Sequence, residues 1–350
     1  MNPKANAADW NKSDVTVHFD ATDTDPGSGL VAGSVTPDQV VSNETSTSGL
    51  VVNGSAKDTA GNTGTDSVTV KLDKTAPSIS GAITTGTLGN NGWYVSPVGV
   101  KFTCSDALSG IAVCPDDENI SLSNNGAAQS VTRTATDVAD NVGSKTVSGI
   151  NIDNEAPSIT NVNVANGFYK LGAAPAATCT ATDSFSGLLS CKVAVTGGTN
   201  GVGTFNWTAT ATDKAGNTST QTGIYKVTYR FDGFLQPIND TAHQTGLTTS
   251  VFKAGSTVPV KFQLKNAAGT AVQSATPPVW LTPVLGAKMS LPVDETAVTV
   301  SADSGSTFRY DTTAQQYIYN WKTPATGGNY YQIGVRLDDG QTYYVNIGLR

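Results

Sequence analysis

Apolar residues recur at every second position in short bursts along this chain. Val15, Val17 and Phe19 follow Trp10, Val98, Val100 and Phe102 follow Trp93, and a weaker, Ala-rich run follows Phe168 through Ala177. The aromatic stands nine positions before the end of the run each time. A two-residue period buries one face of a strand, so the pattern predicts half-buried strands, with the aromatic covering one end of the core. Later runs of the same kind are Val258, Val260, Phe262 and Leu264, then Tyr317–Trp321, Tyr331–Leu337 and Tyr343–Leu349. The last two flank Asp338-Asp339-Gly340 and read as a hairpin. No window carries clean helical periodicity over ten or more residues.

The turns repeat as well. Asp58-Thr59-Ala60-Gly61-Asn62, Asp137-Val138-Ala139-Asp140-Asn141 and Asp213-Lys214-Ala215-Gly216-Asn217 are three copies of one hairpin signal, spaced 79 and 76 residues apart. Asp, Gly and Asn close such turns because they tolerate left-handed backbone. A period of this length marks an array of domains. A second shared element, Asp25-x-x-Ser28-Gly29-Leu30, Asp106-x-x-Ser109-Gly110-Ile111 and Asp183-x-x-Ser186-Gly187-Leu188, reads as a loop between strands.

Return strands run into Ala76-Pro77-Ser78-Ile79 and Ala156-Pro157-Ser158-Ile159 with no Gly/Ser linker. Proline stiffens such a junction and ends the strand. The expected domains are residues 1–74, 75–154, 155–228 and 229–350, stacked end to end as an elongated rod. The fourth lacks the Ala-Pro entry and the hairpin signal.

On these residues the first three repeats resemble the bacterial immunoglobulin-like domains of large secreted and surface proteins. The resemblance rests on the Asp-x-Ala-Gly-Asn hairpins and the Asp…Ala-Pro-x-Ile junctions, and it covers roughly two thirds of the chain. The final segment resembles the PxKF-type C-terminal domain through Pro259-Val260-Lys261-Phe262, within Gly255-Ser256-Thr257-Val258. The resemblance implies an all-β chain of four tandem immunoglobulin-like β-sandwich domains, and no defined activity.

Composition narrows the function. Charged residues make up 14% of the chain and the net charge is −7, which disfavours a nucleic-acid partner, since phosphate binding needs clustered Lys and Arg. No apolar run reaches the length of a membrane span, so no membrane insertion is expected. No signal peptide is visible at Met1, which suggests a fragment or mature region with an added start, and a chain ending at Arg350 just after a strand suggests a true C-terminus.

The four cysteines form two close pairs, Cys104 with Cys114 and Cys179 with Cys191, each flanking the Ser-Gly loop of its own repeat. By the shared motif, the first repeat has Ala21 and Gly33 in those places, so both members are absent together. Two intradomain disulfides are expected, against the alternatives of a metal site or free thiols. A zinc site would call for shorter spacing and His partners, and the chain has only His18 and His243. Disulfides place a chain outside the cytoplasm.

Catalytic signals are missing: there is no Gly-x-Ser-x-Gly elbow, His-Glu-x-x-His, phosphate loop or dinucleotide fingerprint. Calcium is the sharper expectation. In an immunoglobulin-like sandwich the Ser-Gly loop, the final hairpin and the incoming linker meet at one pole. Asp73 should then approach Asp106, Asp137 and Asp140, and Asp153 with Glu155 should approach Asp183 and Asp213, with Asn217 nearby. Converging carboxylates repel unless a hard cation joins them, and calcium takes six to eight oxygens. The alternative is plain turn capping by Asp and Asn.

In the last domain Tyr317, Tyr319 and Trp321 share one strand face, which is either core or a sugar- or protein-binding platform. The opposite parity on the next two strands leaves Tyr330 and Tyr344 as the better exposed aromatics. Asp116-Asp117-Glu118 reads as a solvated acidic turn, and Leu291-Pro292-Val293-Asp294-Glu295 begins like a sortase signal without completing it. The expected function is a non-catalytic structural or adhesive region of a secreted or cell-surface bacterial protein, a fibre-forming subunit being one form of it, with copies of itself, extracellular proteins or glycans as partners. The other reading is an accessory, carbohydrate-binding region of a larger secreted enzyme.

Overall fold

The computed structural model describes residues 1–24, 26–115, 120–238, 250–288 and 299–350. Asp25, Asp116-Asp117-Glu118, His243 and Leu291–Glu295 lie outside the described residues. The chain is all-β and folds as four tandem β-sandwich domains. No helix among the described residues is long and apolar enough to cross a membrane.

In the first repeat Val15–Val17 pairs with Gln39–Val41, and the second sheet runs Trp10–Asn11, Thr63–Leu72, Leu50–Lys57. The two sheets close on Val15, Val17, Val41, Val52, Val70 and Leu72. The second repeat carries Ile120–Leu122, Val98–Ser105 and Ser78–Thr85 in one sheet, and Trp93–Tyr94, Val142–Ile152, Gly126–Asp137 and Ile111–Val113 in the other. Its core is Val98, Val100, Phe102, Val131, Ile150 and Ile152, the inward half of each alternating run.

The aromatic and the run after it do not form one strand. Trp10–Asn11 pairs in parallel with Lys71 and Leu72, and Trp93–Tyr94 with Asn151 and Ile152, while Val15–Val17 and Val98–Ser105 belong to the opposite sheets. The chain switches sheets between them. In the second repeat Pro97, which cannot donate to a ladder, sits at the switch. Trp10 is buried, 6% exposed and with the Lys71 ammonium 5.8 Å from its ring, but it stands outside the cluster of Val15, Val17, Val41, Val52, Val70 and Leu72.

Phe168 corrects the expectation for the third repeat, being 80% exposed. It opens the parallel strand Phe168–Lys170, and the next residue, Tyr169, turns inward edge-on to Tyr225 at 5.9 Å. The Ala-rich run through Ala177 is not a strand either; Cys179–Thr182 is, paired with Ser158–Val162. The remaining sheet of this repeat runs Phe168–Lys170, Thr218–Thr228, Val202–Asp213, Leu188–Thr199.

The last domain has one sheet of Arg230–Leu235, Thr257–Lys265, Gln316–Lys322 and Arg309–Asp311, with Ala271–Val272 beside it. The other consists of Val251–Phe252, Thr342–Leu349, Asn329–Arg336 and Val279–Lys288. Asn329–Arg336 and Thr342–Leu349 form the hairpin around Asp338-Asp339-Gly340. The core of the third repeat runs on into this domain through Tyr229, 2% exposed, whose N–H donates to Asp339 Oδ2 at 2.8 Å. Burial pushes the Asp339 carboxyl above the usual range.

The chain divides into two compact units, one of Met1–Glu155 with Ser184–Gly187 and Lys214–Asn217, the other of Ala156–Asp183, Leu188–Asp213 and Thr218–Arg350. The first contains repeats one and two and their junction.

Candidate functional site

The site is built on the hairpin that repeats. Asp137 Oδ1 accepts from the Asn141 N–H at 2.8 Å, and Asp137 Oδ2 accepts from Asn141 Nδ2 at 2.9 Å. Asp140 stands at φ 69° where the other copies have Gly61 at φ 99° and Gly216 at φ 104°, the left-handed corner of the turn. The first repeat has the same geometry: Asn62 donates through N–H and Nδ2 to the two oxygens of Asp58, at 2.7 Å each. That pair of bonds, the side-chain amide foremost, holds the Asp58 carboxyl below the usual range.

The linker docks onto this turn. Asn141 Nδ2 also donates to the Asp73 carbonyl at 3.0 Å, so one amide grips its own turn and the end of the preceding repeat. Asn217 Nδ2 donates in the same way to the Asp153 carbonyl at 3.0 Å. The Asp73 side chain is fully buried, with Oδ1 accepting from Thr75 N–H and Oδ2 from Ser109 N–H, both at 3.0 Å. Asp153 repeats this, accepting from Glu155 N–H at 3.2 Å and Ser186 N–H at 3.1 Å. Asp106 Oδ1 takes the N–H groups of Leu108 and Gly110 at 3.0 and 2.7 Å, and the Val138 N–H donates to the Gly110 carbonyl at 2.9 Å, tying loop to hairpin.

Asp73, Asp106 and Asp137 each offer a carboxylate oxygen within 4.8 Å of the other two. Asp73 and Asp137 are buried and Asp106 is half-buried. Their donors are all neutral amides, and the ion pairs among the described residues lie elsewhere. Two unit negative charges at this separation repel by about 3–4 kcal/mol at an effective dielectric near 20. The capping bonds occupy only part of each carboxylate's acceptor capacity, which leaves lone pairs for a further ligand. The donor set is oxygen alone, with neither imidazole nor thiolate, which fits a hard cation such as calcium and not zinc. Ser109 Oγ is buried here without a partner, whereas Ser28 Oγ and Ser186 Oγ accept from Ala60 and Ala215 N–H at 3.2 Å.

A second contact, not foreseen from the sequence, ties the junction without using Asp73, Asp106 or Asp137. The loop ahead of each aromatic reaches the next repeat's hairpin: Asn6 Nδ2 donates to the Val138 carbonyl at 2.7 Å and to Asp140 Oδ2 at 2.9 Å. Asn91 Nδ2 donates to the Lys214 carbonyl at 2.8 Å, and the Asn90 N–H to the Ala215 carbonyl at 2.7 Å. The flanking residues differ between copies (Asn6-Ala7-Ala8-Asp9 against Gly89-Asn90-Asn91-Gly92), so no repeated spelling announces it.

The other predicted residues are placed as follows. Asp140 is exposed, bound by Asn6 and outside the carboxylate trio. Glu155 is exposed and accepts from Asn125 Nδ2 at 3.1 Å. Asp183 is half-buried and Asp213 buried, both in the second unit at the ends of Cys179–Thr182 and Val202–Asp213. The cysteines are joined as Cys104–Cys114 and Cys179–Cys191. The two bridges are offset: Cys104 stands two residues before its loop Asp and Cys179 four, while Cys114 and Cys191 both stand eight after.

Trp321 is in the core at 7% exposure, 6.1 Å from Trp280, and Tyr317 and Tyr319 are buried with it, so this face is no exposed platform. The cause is register: Thr257–Lys265 pairs with it and the opposite sheet closes over it. Tyr330 is half-buried, and Tyr344 is 49% exposed, its ring lying over Gly334 on the neighbouring strand.

No family model matches the sequence, and no curated protein matches it. Among solved structures, a tetra-tandem repeat from the extending region of a large adhesion protein is 16% identical, covering 98% of this chain and 93% of its own, at a TM-score of 0.33. A Ca²⁺-stabilised, ice-binding adhesin of an Antarctic bacterium is 15% identical over 89% of this chain and 84% of its own, at a TM-score of 0.23. A protocadherin gammaB7 EC3-6 fragment is 12% identical over 96% and 90%, at a TM-score of 0.28. Likenesses this loose carry no argument about the site, which stands on its own geometry.

Proposed function

We propose that this chain is a non-catalytic, extracellular array of sandwich domains with a structural or adhesive role, and that the pole of its second repeat holds a calcium ion. The observation that carries the reading is the convergence of Asp73, Asp106 and Asp137, two of them buried, at the point where one repeat hands over to the next, with the neighbouring Lys74 ammonium engaged by Asp14 and the Ser42 carbonyl instead. Asp73 comes from the linker, Asp106 from the Ser-Gly loop and Asp137 from the hairpin. An ion there binds three separate segments and fixes the junction. When bound, calcium supplies charge neutralisation and directional oxygen coordination, and the chain's residues position the carboxylates through the amides of Thr75, Ser109, Gly110 and Asn141. The two disulfides support an oxidising compartment, either secreted or at the cell surface.

The test is calorimetric titration of EDTA-stripped protein with calcium, for the intact chain and for Asp106→Asn. Asp106→Asn keeps the side chain's size and removes one charge. The intact chain is expected to bind at least one more calcium ion than the variant; equal binding by both, or none by either, sinks the assignment.

A further inference from the structure

In the third repeat the strand Leu188–Thr199 pairs with Val202–Asp213 on one side and ends its sheet on the other. The turn between the two is Asn200-Gly201 alone, at φ 50° and 84°, the left-handed pair that closes a two-residue hairpin. The chain thus runs from one strand straight into the next. The other strands of the repeat, Ser158–Val162, Phe168–Lys170, Cys179–Thr182 and Thr218–Thr228, are all placed elsewhere. Among the described residues no hydrogen bond reaches Leu189–Thr199 from any segment but Val202–Asp213.

The two earlier repeats treat the same place differently. In the second, the strand there is only Ile111–Val113, meeting Thr136 and Asp137. In the first, an irregular segment lies there, with the Val31 N–H donating to the Lys57 carbonyl and the Thr36 N–H to the Ser55 carbonyl, both at 2.9 Å. Leu188–Thr199 instead offers twelve residues with a single charge, Lys192, and no proline. Brevity, charge and proline are the usual protections of a strand edge, and an edge without them is a template for another chain. From Ser190 to Gly197 the register is unbroken, so N–H and C=O groups face outward at regular intervals. The Cys179–Cys191 bridge ties this strand to the opposite sheet.

The side chains sort by face. Val193 and Val195 are on the core side, half-buried and 37% exposed, while Lys192, Ala194 and Thr196 are exposed on the other.

We propose that this edge pairs antiparallel with the same edge of a second copy, about a two-fold axis at Ala194, joining two four-stranded sheets into one. In a two-fold pair each contact occurs twice, residue i facing j and j facing i. A second copy fits because the strand carries what it needs opposite it. With Ala194 at the axis, Val193 faces Val195, covering apolar surface now in water, and Lys192 faces Thr196, keeping the two lysines apart. Main-chain hydrogen bonds supply the affinity and the side-chain pattern sets the register. The edge belongs to the second compact unit and the cation site to the first, so the two readings stand or fall separately.

The test is sedimentation equilibrium of the intact chain, of Thr196→Lys and of Thr196→Asp. Thr196 is exposed, so neither change disturbs the fold. Each acts twice by symmetry, setting a like or an opposite charge against Lys192. The intact chain is expected to dimerise, with a dissociation constant raised about two- to tenfold in Thr196→Lys and lowered by a similar factor in Thr196→Asp. Ala194→Cys reads the register. Every native cysteine is in a disulfide, so a short bis-maleimide should link this variant into dimers and leave Thr222→Cys, exposed two strands further in, unlinked. A chain that stays monomeric up to about 1 mM, equal association of the two Thr196 variants, or equal linkage of Ala194→Cys and Thr222→Cys overturns the proposal.

Discussion

At the scale of the residue, the junction turns on Asn141. Its amide nitrogen donates to Asp137 and to the Asp73 carbonyl, while the Asn62 amide in the first repeat donates to Asp58 alone among the described residues. Removing Asn141 leaves part-buried acceptors unsatisfied, so Asn141→Ala should lower stability by about 1–3 kcal/mol in urea denaturation. Asn62→Ala at its exposed turn should cost about 0.5 kcal/mol or less. His18 gives a second residue-level expectation. Asp38 Oδ1 stands 2.6 Å from its Nδ1 and Asp20 Oδ1 2.9 Å from its Nε2, and these bonds, that to Asp38 first, raise its pKa above 6.5. A raised folded-state value favours folding fully below the unfolded pKa, and the contribution fades as pH rises through the folded one. An NMR titration should therefore show His18 titrating above 6.5, with Asp38→Asn moving it back down. The acidic residues of the junction were legible because turn-forming Asp recurs at a fixed period. Asn6, Asn90 and Asn91 were not, because their role depends on a neighbouring domain and on no shared spelling.

At the scale of the element, periodicity located the strands but not the sheets they join. The aromatic strands pair in parallel with the return strand, a long-range choice that alternation along the chain cannot show. That shared pairing does not itself set burial: Trp10 and Phe168, in the same slot, stand at 6% and 80% exposure. Trp10→Ala should cost about 3–5 kcal/mol as the truncation of a buried aromatic, and Phe168→Ala less than about 0.5 kcal/mol, both read from denaturation midpoints. Parity in the last domain was readable: Ile333, Val335, Leu337, Val345, Ile347 and Leu349 are all buried. The face of Trp321 was ambiguous from sequence because an aromatic stripe looks alike whether a second sheet covers it or not. Pairing settles it as core. The cysteine spacing pointed to the bridges, while the two-residue offset between Cys104 and Cys179 shows that the loop can be clamped from either of two rungs on the same face of the strand.

At the scale of the whole molecule, the repeat period and the Ala-Pro entries made the tandem organisation legible, and four sandwiches are what the chain forms. The calcium reading predicts a thermal consequence. An ion held at a hundred times its dissociation constant adds about 2.7 kcal/mol, which for domains of this size raises the melting point by roughly 10–20 °C. Scanning calorimetry with and without EDTA should show that rise in the intact chain and lose most of it in Asp106→Asn. The Asn141 clasp on Asp73 also gives the array a direction in time. A ribosome delivers Asp73 before Asp106 and Asp137, so the first repeat can fold and hold its last carboxylate in place before the second has left the tunnel. Each later domain then closes on a finished template, and adjacent sequences of similar spelling have less opportunity to exchange strands as they emerge.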